Sequence, residues 1–285
     1  MAFNQITQTV RKIFRLLLPA LMVIPALLVL LGAFHLSDEQ LAEWAEIGLR
    51  NAAGELIEKV ENFLEQTAHS ADFNAAWIES NHDNQGFEQV FHETSNLEMR
   101  AYPHFALIYF GDAKGNHWAS KPDDKGGSRL RKIERLVDSP ESQEILRQAD
   151  AMPIETPEQL EAFRQRIAPI LRSSWLAPDQ NGMLRWDAPD PLKTPFDPRL
   201  RPWYTGARQN RGRYWTDVYT WMDSVHGPLT GITVSVPVIR QGELIGVAAI
   251  DLVLQSLTKF LSSLSVSPHG RAFIVDSHGR VVGTS

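Results

Sequence analysis

An uncharged apolar run near the N-terminus limits what the first part of this chain can become. It covers residues 16–34, about 19 residues, close to the roughly 20 that a helix needs to cross a bilayer. A cleaved signal peptide is the alternative, but its apolar core is usually about 7–15 residues long and a small-residue cleavage site follows it. No such site follows here. We therefore expect a membrane helix over residues 16–34.

The charges that flank this run predict its orientation. Arg11, Lys12 and Arg15 precede it, and a group of acidic residues follows it. Because basic residues are retained on the cytoplasmic side, residues 1–15 are predicted to be cytoplasmic and the chain from about Leu36 to be extracytoplasmic. This is the topology of an inner-membrane protein with a periplasmic domain.

Composition and motifs exclude several classes of function. The formal net charge of −6 argues against nucleic-acid binding, and the absence of cysteine rules out disulfides, zinc–thiolate sites and thiol nucleophiles. The sequence contains no HExxH, GxSxG or P-loop motif, and no histidine pair has metal-ligand spacing. We expect no catalytic centre, no metal and no cofactor in these residues.

A long helix is predicted over residues 36–80, outside the membrane. Ser37 and Gln40 have the spacing of a capping box, which is typical of a helix start. An apolar stripe with steps of three or four residues follows: Leu49, Ala53, Leu56, Val60 and Phe63. The stripe could pack against the domain that follows or against a second copy in a homodimer, and the two are compatible.

Several strands are predicted in the rest of the chain. Residues 105–110 and 116–120 form a predicted hairpin around a Gly-Asp turn. Residues 229–239 alternate apolar with small or polar side chains, which indicates a strand with one buried face. Residues 244–252 are almost continuously apolar, which indicates burial on both faces. These segments predict an antiparallel sheet.

The remaining segments are predicted as helix or loop. Residues 129–171 are charged and mostly helical in pattern, residues 177–202 form a loop rich in Pro and Asp, and residues 254–264 form a helix. The fold class is therefore α+β.

A second hairpin closes the chain. Asp276 and Gly279 repeat the spacing of Asp112 and Gly115 in the first hairpin. The repeat suggests a duplicated unit whose second copy is interrupted at Ser285, and hence a fragment of a longer chain.

Three motifs together resemble one family. Residues 196–207, FDPRLRPWYTGA, resemble the DPRxRPWY signature of double Cache (dCache) sensor domains, and residues 214–219 and 246–252 continue the likeness. The resemblance implies two stacked PAS-like lobes outside the membrane, with a small ligand in the membrane-distal lobe. Residues 81–265 would form that lobe, and residues 266–285 would begin the membrane-proximal one. It also implies a second membrane helix and a cytoplasmic output domain.

The motifs supply candidate ligand-binding residues. These are Phe196, Arg201, Trp203, Tyr204, Asp217, Tyr219 and Asp251. The Arg201 guanidinium suits a carboxylate, and Asp251 ends an apolar strand, where a carboxylate needs a cation such as an ammonium group. In amino-acid-binding members of the family, the residues that match Arg201, Trp203, Tyr204, Tyr219 and Asp251 contact the ligand's carboxylate and amine.

Two positions depart from that amino-acid pattern. Phe196 replaces a tyrosine, and Trp221 replaces an aspartate that would bind the amine. The ligand could therefore be an amino acid, a carboxylate or another small metabolite. Arg201 could instead form a structural ion pair with Asp197 or Asp217, and Trp203 could be a core residue.

The leading hypothesis is a small-molecule sensing domain of a transmembrane signalling receptor. One alternative is the regulatory input of a membrane-bound signalling enzyme, an adenylate, guanylate or diguanylate cyclase or a histidine kinase, with its catalytic domain beyond residue 285. Another is a periplasmic domain that binds a partner protein.

Overall fold

The computed structural model describes residues 2–123, 127–190, 192, 194–223, 227–264, 270–276 and 278–285, without the side chains of residues 2–26 and 33–39. The chain divides into two compact units, Met1–Val60 and Glu61–Ser285. The first unit is helical, and the second contains the sheet and the remaining helices.

The first helix, α1, is continuous over Ala2–Asn81. Its end confirms the prediction for the long helix, but the predicted start at Ser37 is wrong. A capping sequence begins a helix only where the preceding residues leave the helical conformation, and here they do not. Most of the run at residues 16–34 lies outside the residues whose side chains are described. None of the helices, so far as their residues are described, is both long and apolar enough to cross a membrane.

The apolar stripe of α1 is buried at one position only. Phe63 lies in the hydrophobic core, whereas the side chain of Leu49 is 72% exposed. The prediction of core packing is therefore confirmed at Phe63, and the predicted dimer seam remains a prediction.

A nine-stranded antiparallel sheet dominates the second unit, with strand order β5-β4-β3-β2-β1-β9-β8-β6 and β7 paired to β8. Its strands are β1 Leu107–Asp112, β2 His117–Pro122, β3 Ser128–Arg135, β4 Leu171–Pro178, β5 Leu184–Pro189, β6 Tyr214–Trp215, β7 Tyr219–Asp223, β8 Gly227–Arg240 and β9 Glu243–Val253. The helices around it are α2 Phe87–Ala101, α3 Pro140–Asp150, α4 Pro157–Ile167, α5 Pro202–Asn210 and α6 Leu254–Ser263. This arrangement confirms the predicted α+β class with a PAS-like sheet.

The two faces of the sheet have different neighbours. Ile108 and Phe110 of β1 share a buried cluster with Phe63 and other residues of α1. Tyr109, between them in sequence, belongs to a second cluster with Trp203 of α5. Because successive side chains of a strand point to opposite faces, β1 contributes to both layers.

Two predictions for the middle of the chain are corrected. Part of the segment predicted as helical, from residue 129 to Arg135, is strand β3, and the predicted loop over residues 177–202 contains strand β5. An ion pair connects charged side chains of these two strands across the sheet, Arg129 with Asp187. A strand can carry many charged side chains when they are paired in this way. Its sequence then resembles that of an exposed helix, which explains the wrong prediction.

An Asp-x-x-Gly turn is repeated at the hairpins. The Asp112 carboxylate accepts a hydrogen bond from the Asn116 backbone N–H at 2.7 Å, and Gly115 has φ of +89°. In the last hairpin, which joins β10 Phe273–Val275 to β11 Val281–Thr284, Asp276 accepts from the Arg280 N–H at 2.9 Å. The predicted repeat of the first hairpin is therefore confirmed as a turn, and its place in a second lobe remains a prediction.

Candidate functional site

A cavity of about 670 Å³ lies over the α5 face of the sheet. Alternate residues of β1, β2 and β9 form its floor: Leu107, Tyr109, His117, Ala119, Lys121 and Asp251. The register aligns them, because Leu107 pairs with Asp251 and Tyr109 pairs with Ala119. Arg201 and Trp203, strand β7 and residues 194–196 contribute to the walls.

Asp251 is the buried carboxylate of this floor. It is 3% exposed, and its Oδ1 accepts hydrogen bonds from the Tyr109 hydroxyl at 2.6 Å and the Thr233 hydroxyl at 2.5 Å. Burial raises the pKa of Asp251 to about 6, while the two hydrogen bonds and the positive charge of Arg201 act in the opposite direction. None of the described residues donates a hydrogen bond to Oδ2.

Two tyrosines hold this carboxylate in place. Burial and the Asp251 charge raise the pKa of Tyr109 well above its usual range, so its hydroxyl keeps its proton and donates. The Tyr219 hydroxyl lies 2.8 Å from Thr233 Oγ1 and its pKa is also raised, mainly by burial. The chain Tyr219–Thr233–Asp251 therefore fixes the orientation of Oδ1 and leaves Oδ2 available.

Arg201 is the cation whose charge acts on Asp251. Its guanidinium lies 5.6 Å from the centre of the Phe196 ring. Asp197 is bound by Arg135 at 2.5 Å and by Arg199 at 2.9 Å, and Asp217 is exposed. Within the described residues, no carboxylate lies at ion-pair distance from Arg201, so the predicted alternative of a structural ion pair is wrong for both partners.

The structure brings most of the predicted residues together. Phe196, Arg201, Trp203, Tyr219 and Asp251 all line the cavity. Trp203 is also a core residue, because it is 3% exposed and packs in the α5 cluster, so the two interpretations of it are compatible.

Two predicted residues lie elsewhere. Tyr204 is fully buried beside Trp203 and does not line the cavity, because adjacent residues of a helix point about 100° apart. Asp217 is exposed between β6 and β7 and does not line the cavity either. Their predicted contact with a ligand has no support in this geometry.

Several residues of the site were not predicted. Tyr109 and Thr233 complete the hydrogen-bond network, and Lys121, His117 and Trp175 line other parts of the cavity. The sequence did carry one signal. The alternation in β8 predicts that its small and polar side chains face solvent, yet Thr233 is completely buried. A polar residue buried beside a carboxylate marks a site rather than a surface.

His117 contributes a neutral ring to this cavity. It is buried, and its burial together with the charges of Arg131 and Arg201 lowers the pKa to about 3. Its ring centre lies 4.9 Å from that of Phe196. His117 is therefore an uncharged part of the floor at neutral pH.

Comparison with known proteins identifies the segment that carries this site. Residues 170–259 match the family described as methyl-accepting chemotaxis protein-like, first PDC sensor domain. The matched segment runs from the start of β4 into α6 and includes Arg201 and Asp251, so the resemblance to Cache-type sensors is confirmed.

Curated relatives of this sensor domain are chemotaxis proteins. The methyl-accepting chemotaxis protein PscA of Pseudomonas syringae pv. tomato is 38% identical over 87 residues, which are 30% of this chain and 13% of PscA. McpA of Pseudomonas putida is 38% identical over 89 residues, which are 30% of this chain and 13% of McpA. The matched segment thus spans a small part of either relative's length.

Solved structures of chemoreceptor ligand-binding domains are also similar. The domain of Pseudomonas fluorescens CtaA in complex with L-serine is 20% identical and has a TM-score of 0.46, covering 79% of this chain and 66% of that one. The sensory domain of Campylobacter jejuni Tlp3 with isoleucine is 14% identical and has a TM-score of 0.48, covering 84% and 71%. At TM-scores below 0.5, these matches do not establish a shared fold.

Proposed function

We propose that this chain is the extracytoplasmic sensing part of a transmembrane chemoreceptor, anchored by residues 16–34, and that its cavity binds an α-amino acid. The observation that carries the proposal is a pair of opposite charges in one cavity. Asp251 and Arg201 both line it, and neither has an ion-pair partner among the described residues.

Asp251 is suited to the ligand's ammonium group. A buried carboxylate without a cation is costly, and this cost appears as the raised pKa of Asp251. A ligand ammonium at Oδ2 would supply the missing positive charge, while Tyr109 and Thr233 keep Oδ1 in place. Binding would then relieve a cost that the ligand-free protein carries.

Arg201 is suited to the ligand's carboxylate. A guanidinium presents two parallel N–H groups to the two carboxylate oxygens. Phe196 and Trp203 also line the cavity, and their rings would exclude water from this contact, which would strengthen it. With Trp221 in the lining instead of an aspartate, Asp251 alone would hold the amine.

Chemotaxis is the output that the comparisons favour. Both the matched family and the relatives PscA and McpA are described as methyl-accepting chemotaxis proteins. A receptor of this kind would place its signalling domain beyond residue 285.

Calorimetric binding to the full chain, purified in detergent, tests the proposal. Each amino acid that binds is compared with the same molecule lacking its amine or its carboxylate. We expect each truncated analogue to bind at least about tenfold more weakly, because one charge-assisted contact is lost. Arg201→Met should abolish binding, whereas Arg208→Met, on the exposed side of α5, should not change it. Equal affinity for the amino acid and its amine-free analogue would contradict the role of Asp251.

A further inference from the structure

Besides Arg201, the cavity is lined by three further cationic side chains. Lys121 and Arg131 of the sheet and Arg164 of helix α4 all line it, together with Trp175. The Lys121 Nζ and the Arg131 guanidinium lie 5.4 and 5.9 Å from the centre of the Trp175 ring.

Two of these cations are neutralised by acids that line the same cavity. The Lys121 Nζ lies 2.9 Å from Asp223 Oδ2, and both side chains are at most 10% exposed. The Arg131 Nε lies 2.5 Å from Asp190 Oδ2, which also accepts a hydrogen bond from Ser173 at 2.9 Å. Neither pair adds net charge to the cavity.

Arg164 is different. Its carboxylate neighbour among the described residues is Glu161, one turn away on α4, at 3.7 Å. The Glu161 side chain is 55% exposed and does not line the cavity. Such an exposed, long pair contributes little, so Arg164 keeps most of its positive charge for whatever occupies the cavity.

We infer that the ligand carries a second acidic group that binds Arg164, and hence that it is an amino acid with an anionic side chain. This inference rests on the proposed function, because Arg201 and Asp251 are taken to hold the α-carboxylate and the α-ammonium group. Those two residues balance a zwitterion, and Arg164 leaves one positive charge in excess among the described residues that line the cavity. The Trp175 ring provides an apolar surface for the methylene groups between the ligand's charged ends.

Isosteric ligands test this inference on the full chain. We expect L-glutamate or L-aspartate to bind at least about tenfold more tightly than L-glutamine or L-asparagine, as measured by calorimetry, because only the acid forms a charge-assisted contact. Arg164→Gln should remove this preference and leave the affinity for the amide unchanged. Arg166→Gln is the matched control, since Arg166 lies on the same helix but binds Gln148, outside the cavity. The melting temperatures of the ligand-free variants verify that all of them are folded.

The outcomes separate this inference from the proposed function. If the amide binds as tightly as the acid, or if Arg164→Gln retains the preference, the inference is wrong. The proposed function would survive that result as long as Arg201→Met abolishes amide binding. If no amino acid binds the folded chain, both are wrong.

Discussion

Replacing Asp251 by asparagine should stabilise the ligand-free protein at neutral pH. The pKa of Asp251 rises from an ordinary 3.8 to about 6 in the fold, so the unfolded chain releases this proton at a lower pH than the folded chain does. This group therefore stabilises the fold by at most about 3 kcal/mol. That contribution is complete below about pH 4 and is lost as the pH rises through 6. An asparagine side chain at this position would carry no charge at any pH, and its amide oxygen could still accept from Tyr109 and Thr233.

The assay is urea denaturation of both proteins between pH 4 and pH 8. The free energy of unfolding of the wild type minus that of Asp251→Asn should fall by about 1–3 kcal/mol across this range. Taking the difference cancels the contributions of all other titrating groups. Asp217→Asn, which changes an exposed carboxylate outside the cavity, is the matched control.

A flat difference would refute the reasoning, since it would mean that the ionised Asp251 carries no burial cost. The same variant should also lose amino-acid binding. A variant that gained stability and kept full affinity would show that the ligand's amine binds elsewhere.

Three further predictions concern other parts of the fold. Burial raises the pKa of Glu98 to about 7, although Asn74 donates a hydrogen bond to its carboxylate at 2.8 Å. Because the fold favours the protonated form, the free energy of unfolding of the wild type minus that of Glu98→Gln should fall as the pH rises from 5 to 8, as measured by urea denaturation. Phe163→Ala should destabilise the protein by about 3 kcal/mol in the same assay, because Phe163 is 2% exposed at the centre of the α3–α4 cluster. Gly206→Ala should cost about 1–3 kcal/mol by thermal denaturation, because a Cβ there would lie 2.1 Å from the ring of Tyr214.

Much of the fold was predictable because its signals are local. The apolar periodicity of β8 and α6, the continuous apolar run of β9 and the Asp-x-x-Gly turns depend on residues near one another in sequence. β3 was missed for the opposite reason. Its charged residues are satisfied by partners far along the chain, as Arg131 is by Asp190, and no local pattern reports such a partner.

The site was predictable only where a motif exists. Arg201, Trp203 and Asp251 lie in recognisable stretches, but Tyr109 and Thr233 reach Asp251 through strand register. Leu107 pairs with Asp251 on one side of β9, and Thr233 pairs with it on the other. A shift of one residue in either pairing would send these side chains to the opposite face of the sheet. Sequence patterns do not determine strand pairing to within one residue.

Strand β1 separates the cavity from α1 by a single backbone layer. Tyr109 bonds to the carboxylate at the cavity floor, and its immediate neighbours Ile108 and Phe110 share the cluster that contains Phe63, Ala71 and other residues of α1. Among the described residues, no intermediate layer lies between them that could absorb a displacement. A displacement of Tyr109 would therefore act through one peptide unit on Ile108 and Phe110, and so on the packing of α1 around Phe63.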